Sequence, residues 1–420
     1  MEKLGVKKSS VLAALLIVLF VTSVFSVLGT SSAALGKPHE TVKIGVIAPF
    51  SDALTPLTQL YKDVVEPDIN TYVAKLPVSR FTLPVKFEFQ VVSAGTGTAA
   101  EHLAQVKMFH KMGVDLIIGG WMSSQINDET LAYLKTNKMV MISPGSNAPS
   151  LAHIDNLFRL LPDSSTEGHI VAAMFAKLGL TTAIVLERSD TYGSGVYQSF
   201  TSSFKGSIVS YTYTPDDTAN FKSTLELADT QANGLSQVGV FLIAIDTDCA
   251  PELNRGDFAI AYPNLGVMPW FGADGTAFST FLTEPNVGVL KILSPNPATP
   301  HNTKFDYMNL KYAPILGPMD YGGACMIDAG WILAQAVIET RSTTFLKSPG
   351  ASDVIKVLSD DCSRYFGYSG WCLLDKNGDR VSSDWEIWGY GLSGGSRVIL
   401  QYGSYDAYSG VSWITTPTWP

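Results

Sequence analysis

Leu116-Ile117-Ile118-Gly119-Gly120-Trp121-Met122-Ser123-Ser124 is an apolar run that stops abruptly in small polar residues. Three further segments follow the same plan in order along the chain: Ile142-Ser143-Pro144-Gly145-Ser146-Asn147, Asp190-Thr191-Tyr192-Gly193-Ser194-Gly195 and Trp270-Phe271-Gly272-Ala273-Asp274-Gly275. A short continuous apolar run reads as a parallel strand buried on both faces. In open α/β sheets, ligands gather just beyond the carboxyl ends of such strands, where loops and helix N-termini present free N–H groups. The four turns therefore predict one binding cleft.

Outward from these turns the hydrophobic pattern alternates strand with helix. Val42 to Ile47, Val85 to Val92, Asp115 to Ile118 and Met139 to Ile142 read as strands, with helices at Leu57 to Leu76, Ala99 to Met112 and Asp128 to Thr136. After Leu160-Leu161-Pro162 a second series begins, with helices at Thr166 to Leu178, Tyr197 to Lys205 and Phe221 to Thr230 and strands at Ala183 to Leu186, Ile208 to Tyr213 and Val238 to Ile245. Such repetition requires parallel sheets with right-handed crossovers. Past the strand Val289 to Leu293, Ser294-Pro295-Asn296-Pro297 breaks the pattern, and the apolar helix Tyr321 to Ile338 must find a sheet to cover.

Composition agrees with two lobes. At 420 residues the chain exceeds what one core supports, and 46% hydrophobic and 11% aromatic residues supply material for two. A net charge of −9 without a long basic run argues against nucleic acid as a partner. Charged residues make up 16%, below the usual quarter or so, which is compatible with an extracytoplasmic protein. Lys3, Lys7 and Lys8 precede the apolar stretch Val11 to Leu28, and small residues Gly29 to Ala34 follow it. That arrangement predicts export, as a signal peptide or an N-terminal membrane anchor within residues 1–36; either outcome puts the remainder outside the cytoplasm. The first cysteine is Cys249, so no lipoprotein anchor is expected.

In an exported chain cysteines invite pairing. Cys362 and Cys372 flank a loop rich in turn formers, and a bridge there would stabilise by about 3 kcal/mol; that disulfide is expected, with Cys249 and Cys325 as buried thiols. The histidines are scattered without metal-ligand spacing, and the turn Asp375-Lys376-Asn377-Gly378-Asp379 lacks the twelve-residue calcium pattern. No metal or cofactor is expected.

The four segments, in this order, resemble the type I periplasmic binding proteins, specifically the branched-chain amino acid (leucine/isoleucine/valine) binding proteins of ABC importers, from about Val42 to the C-terminus. The resemblance implies an α/β fold of two doubly wound parallel-sheet lobes joined by a three-crossing hinge. It assigns residues 41–162 with 297–370 to the first lobe and 163–293 with 374–420 to the second. The long helix would return to the first lobe. Phe366-Gly367-Tyr368-Ser369-Gly370, with Asp375 and Gly378-Asp379, would form the third hinge segment, and Thr415 to Pro420 the tail.

An amino acid ligand requires N–H and hydroxyl donors for its carboxylate and an acid for its ammonium. The resemblance places a carboxylate-binding hydroxyl at Ser123, which could equally cap its own helix. It places a carbonyl at Gly145, and Asn147 where the family usually has Thr. Asp274, where the family more often has Glu, would pair with the ammonium. Tyr192 would close over the ligand, and Trp121, Met122 and Phe50 would line an apolar wall unless they belong to the core. Asp246, Thr247 and Asp248 replace an aromatic of the family, which leaves room for a ligand with an extra donor, such as a small amide or urea-like compound.

The expected function is an extracytoplasmic substrate-binding protein that delivers a branched-chain or hydrophobic amino acid to ABC permease subunits, without catalysis. Ser, Asp and His all occur, but no catalytic motif presents them together. A ligand-sensing receptor domain is the alternative of a different class.

Overall fold

The computed structural model describes residues 40–76, 85–253, 255–276, 286, 290–300, 302–343, 350–381 and 384–419. The expected leader at residues 1–36 lies outside the described residues.

The first sheet is built from β1 (Glu40–Ala48), β2 (Val85–Ser93), β3 (Leu116–Ile118), β4 (Val140–Ser143) and β5 (Leu157–Arg159), in the order β2-β1-β3-β4-β5, all parallel. The second repeats that order with β6 (Thr182–Arg188), β7 (Ser207–Tyr213), β8 (Val238–Ile243), β9 (Trp270–Gly272) and β10 (Leu293–Pro297), arranged β7-β6-β8-β9-β10. In both sheets the order reverses beside the first strand, and ligands of doubly wound folds bind at that switch point.

Side chains alternate across the first sheet as a strand's period of two demands. Val46, Ile118 and Ile142 face a core shared with α1 (residues 54–73), while Ile47, Ile117 and Met141 face α2 (Ala99–Lys111) and α3 (Asp128–Thr136). Helix α1 runs Leu54–Gln59, loosens into a π turn at Leu60–Val65 and resumes over Glu66–Val73. Side-chain caps fix several helix starts. Thr98 accepts from the Glu101 amide before α2, and Asn127 accepts from the Thr130 amide before α3. The second lobe carries α4 (Ser165–Lys177), α5 (Thr191–Ser203), α6 (Thr218–Ala232) and α7 (Asp246–Leu253).

The chain then returns to the first lobe through α8 (Thr303–Leu316), α9 (Tyr321–Thr343) and α10 (Ala351–Arg364). Ile327, Leu333 and Val337 of α9 are buried in the first-lobe core, which is where the long helix finds its sheet. A two-residue hairpin pairs β11 (Phe366–Gly367) with β12 (Gly370–Trp371). Beyond it the chain crosses back, and β13 (Trp385–Ser393), β14 (Ser396–Asp406) and β15 (Gly410–Trp413) extend the second sheet antiparallel from β10.

The third crossing runs against the end of β5. The Arg159 amide donates to the Gly378 carbonyl at 2.9 Å, and the Arg380 amide donates to the Arg159 carbonyl at 3.0 Å. Arg159 Nε meets Asp379 Oδ1 at 2.5 Å in a buried ion pair. Asp328, buried on α9, accepts from the Tyr368 and Ser369 amides, both at 2.8 Å, and from the Ser369 hydroxyl at 2.6 Å. Arg380 Nη1 completes the set on Ser369 Oγ at 2.7 Å.

Three expectations change. Ser294-Pro295-Asn296-Pro297 does not break the sheet: it lies within β10, because β9 pairs with β10 at Leu293 alone and the prolines beyond it need no bond on that side. Helix α5 starts at Thr191, six residues before the expected position, with the Asp190 carboxylate capping the Gly193 amide at 2.8 Å. The expected Cys362–Cys372 disulfide is absent, and all four cysteines are free and buried. Cys362 sits on the buried face of α10. Cys372 Sγ faces Ser369 Oγ and Arg380 Nη1, each at 3.6 Å, and burial pushes its thiol up to about 12.

Alkylation of the denatured protein without reductant is therefore expected to label Cys249, Cys325, Cys362 and Cys372, while the folded protein resists labelling. A non-reduced digest that yields a Cys362–Cys372 cross-linked peptide would contradict this arrangement.

Candidate functional site

The loops beyond β3 and β4 are knitted together by hydroxyl groups. Ser143 Oγ donates to the Gly120 carbonyl at 2.7 Å and accepts from the Ser146 amide at 2.9 Å. Gly145 is required here, because a Cβ would stand 2.4 Å from the Trp121 carbonyl oxygen. Ser123 does not cap its own short helical turn. Its buried Oγ instead accepts from the Asn147 and Ala148 amides at 3.2 and 3.0 Å, so its own proton remains to donate. The Asn147 carbonyl accepts from the Ser164 amide at 2.8 Å, and the Ser164 hydroxyl is buried without a hydrogen-bond partner.

From the second lobe, three side chains converge on Asn147. Tyr192 enters from the first turn of α5, which Asp190 caps, and Asp274 from the turn after β9. The third, Glu167, comes from the first turn of α4 and is fully buried. Asn147 Nδ2 donates to Glu167 Oε1 and to Asp274 Oδ2, both at 3.0 Å. The Tyr192 hydroxyl meets Asp274 Oδ1 at 2.5 Å and lies 3.3 Å from Glu167 Oε2. The Asp274 amide donates to Glu167 Oε2 at 3.0 Å. The lobes approach closely beside this cluster, since a Cβ on Gly195 of α5 would stand 2.5 Å from Pro149 Cδ of the first lobe.

Two carboxylates in one hydrogen-bond network cannot both ionise cheaply away from water. Burial, and then the Asp274 charge, push the Glu167 carboxyl well above the ordinary carboxylate range. Burial also raises Asp274, against the lowering pull of its bonds from Tyr192 and Asn147. Burial and both acids hold the Tyr192 phenol well above its ordinary value. The cluster therefore accepts N–H donors and favours positive charge.

The sequence placed Ser123, Gly145, Asn147, Tyr192 and Asp274 in one cleft, and they come together here. Trp121 instead belongs to the core, with its indole nitrogen donating to the Ile47 carbonyl. Phe50 is exposed with its ring against Gly97, and Met122 is half-buried. Asp248 points into the second lobe, accepting from Arg188 Nη1 at 2.5 Å and from the Tyr213 hydroxyl at 3.2 Å. Glu167 is the residue the sequence reading missed. Its signal was an acid on a buried stripe, with Ile170, Val171, Met174 and Phe175 at helical spacing beyond it. A groove of about 320 Å³ between Tyr72, Trp331 and Tyr368 opens on the first lobe, and no residue of the cluster lines it.

Comparison with known proteins gives a family match and several structural likenesses. The family model described as the receptor family ligand binding region matches residues 67–393. An uncharacterized protein of Methanocaldococcus jannaschii is 22% identical over 415 residues, covering 91% of this chain and 94% of that protein. Among solved structures, a leucine-binding protein of Thermotoga maritima is similar with a TM-score of 0.67 at 16% identity, over 86% of this chain and 97% of its own. A branched-chain amino acid transporter substrate-binding protein of Streptococcus pneumoniae, in complex with isoleucine, gives 0.67 at 17%, over 86% and 100%. A solute-binding protein of R. palustris, in complex with benzoate, gives 0.66 at 16%, over 86% and 96%. These likenesses establish the fold.

The raised carboxyls set a pH dependence. A group whose value is higher folded than unfolded contributes stability that is fully present below its unfolded value and is lost as pH rises through the folded one. Glu167→Gln removes one such group, so its unfolding free energy should fall less steeply between pH 5 and pH 8 than that of the wild type, whatever constant cost the substitution adds. Parallel pH profiles from chemical denaturation would contradict the shared burial of the two acids.

Proposed function

The chain belongs to the receptor family ligand binding region family and has the type I periplasmic binding fold, and from that premise we propose that it is an extracytoplasmic substrate-binding protein of an ABC importer. It takes a small amino acid, branched-chain or otherwise hydrophobic, between its lobes and passes it to membrane permease subunits without chemical change. One observation carries the reading: Glu167, Asp274 and Tyr192 of one lobe form a buried acid cluster aimed at Asn147 of the other. A ligand ammonium reaching both carboxylates is its natural complement, since a buried acid pair lacks only a cation. The hydroxyl of Ser123 on the first lobe, and that of Ser164 at the crossing into the second, supply donors for a ligand carboxylate.

Closure follows from the division of these groups. Ser123 and Asn147 lie on the first lobe and Tyr192, Glu167 and Asp274 on the second, so only a closed arrangement makes both sets of contacts, and ligand selects it. The first lobe in this reading comprises residues 41–162 with 297–370, the second 163–293 with 374–420. The leader at residues 1–36 directs the chain out of the cytoplasm, and the permease meets it there.

A second reading, a small amide or urea-like ligand, draws support from the Asn147 side chain itself. A primary amide fits between the two carboxylates, because Asn147 presents one there. Benzoate, bound by the R. palustris relative, offers no N–H group to an acid pair and is expected not to bind here.

Calorimetry against the twenty amino acids, urea, acetamide and benzoate tests the proposal. Binding of at least one amino acid is expected, with Asp274→Ala weakening it by about 2–5 kcal/mol, a loss of about tenfold or more. Unchanged affinity in a folded Asp274→Ala protein would remove the ammonium assignment.

A further inference from the structure

Asn147 holds more of the cleft together than an ordinary turn residue. Its backbone is fixed at both polar groups, the amide on Ser123 Oγ of the first lobe at 3.2 Å and the carbonyl on the Ser164 amide, at the crossing into the second lobe, at 2.8 Å. Its side chain reaches across to the second lobe. A carboxamide nitrogen carries two protons, and Nδ2 lies 3.0 Å from Glu167 Oε1 and 3.0 Å from Asp274 Oδ2. That is the position from which a ligand nitrogen would have to reach both acids. One nitrogen there excludes another, and a Thr side chain at this position has a single O–H donor, too few to bridge the pair.

Resting on the amino acid reading above, we infer that Asn147 is a tethered internal competitor: its amide latches the two lobes through Glu167 and Asp274, and it restricts the cleft to ligands with a cationic N–H donor. The backbone anchors let the side chain swing aside about its own torsions while the loop stays in place, so displacement needs no rearrangement of the strand ends. A neutral amide from solution would replace like with like. It would do so at the cost of association, against a side chain whose tether gives it an effective concentration on the order of millimolar or above. An ammonium, amidinium or guanidinium group instead forms charge-assisted bonds about twice as strong as the neutral ones it displaces. The latch thus separates the two ligand classes left open above and favours the cationic one.

Asn147→Ala and Asn147→Thr test the inference against wild type by small-angle scattering of the protein alone and by calorimetry with L-leucine and acetamide. Both substitutions remove the bridging amide, so the radius of gyration without added ligand is expected to increase. L-leucine should bind about tenfold tighter or more, the loss of a competitor held by two hydrogen bonds, and acetamide binding should become measurable. The Thr variant carries the test if the Ala variant does not fold. An unchanged radius in folded variants overturns the latch, as does weaker L-leucine binding. If the radius grows while no amino acid binds wild type or variant, the latch stands and the amino acid reading falls.

Discussion

Two carboxylates held side by side away from water are costly unless something shares their charge, and Glu167 and Asp274 impose that constraint on the rest of the molecule. A proton, an amide or a cation must lie between them. The fold is arranged to make that possible at one place. The first turn of α4, the capped start of α5 and the turn after β9 all end at the same rim of the second sheet, and each contributes one polar group. The first lobe answers with donors rather than acids, drawn from the loops after β3 and β4. The asymmetry between an acid-rich lobe and a donor-rich one gives the cleft its polarity. In the proposed reading it would also give an amino acid one orientation, ammonium toward the second lobe and carboxylate toward the first.

Charge is treated differently at the pivot. Arg159 is paired with Asp379, and Asp328 and Arg380 meet through the Ser369 hydroxyl, all of them buried. Removing one member of such a pair leaves the other uncompensated, which costs about 3–5 kcal/mol, so these contacts fix the crossings to the first lobe. At the cleft, the hydrogen bonds from the first lobe to the two acids run instead through one movable side chain. A rotation of the second lobe can therefore break the Asn147 bonds while the third crossing keeps its backbone bonds to β5. Fixed pairs at the hinge and exchangeable pairs at the mouth are what closure about a ligand requires.

The strands and their order were legible because parallel strands buried on both faces read as continuous apolar runs. The helices with clean apolar spacing were legible too; Asp128–Thr136 falls where the pattern puts it. Local chemistry that mimics a turn hid the rest. The prolines of β10 suggested a break, yet they lie where the neighbouring strand has ended. The turn formers between Cys362 and Cys372 made a disulfide plausible, although Val354, Leu358 and Cys362 mark a buried face of α10 at helical spacing. At the site, residues at strand ends were visible because the strands announce them. Glu167 was not, since no strand leads to it and an acid in a helix's first turn is ordinarily read as favourable to the helix dipole. Only its place on a buried stripe distinguishes it.

The central claim is that a cationic nitrogen enters between Glu167 and Asp274 and displaces whatever neutralises them. Calorimetric titration of the tightest-binding amino acid, run at one pH in two buffers of different ionisation enthalpy, reads the protons exchanged on binding. The account predicts net proton release, because an ammonium between the acids lowers both carboxyls from their raised values toward the ionised form. Heats independent of the buffer, in a protein that binds the ligand, would show that the acid pair does not receive its charge and would contradict the account.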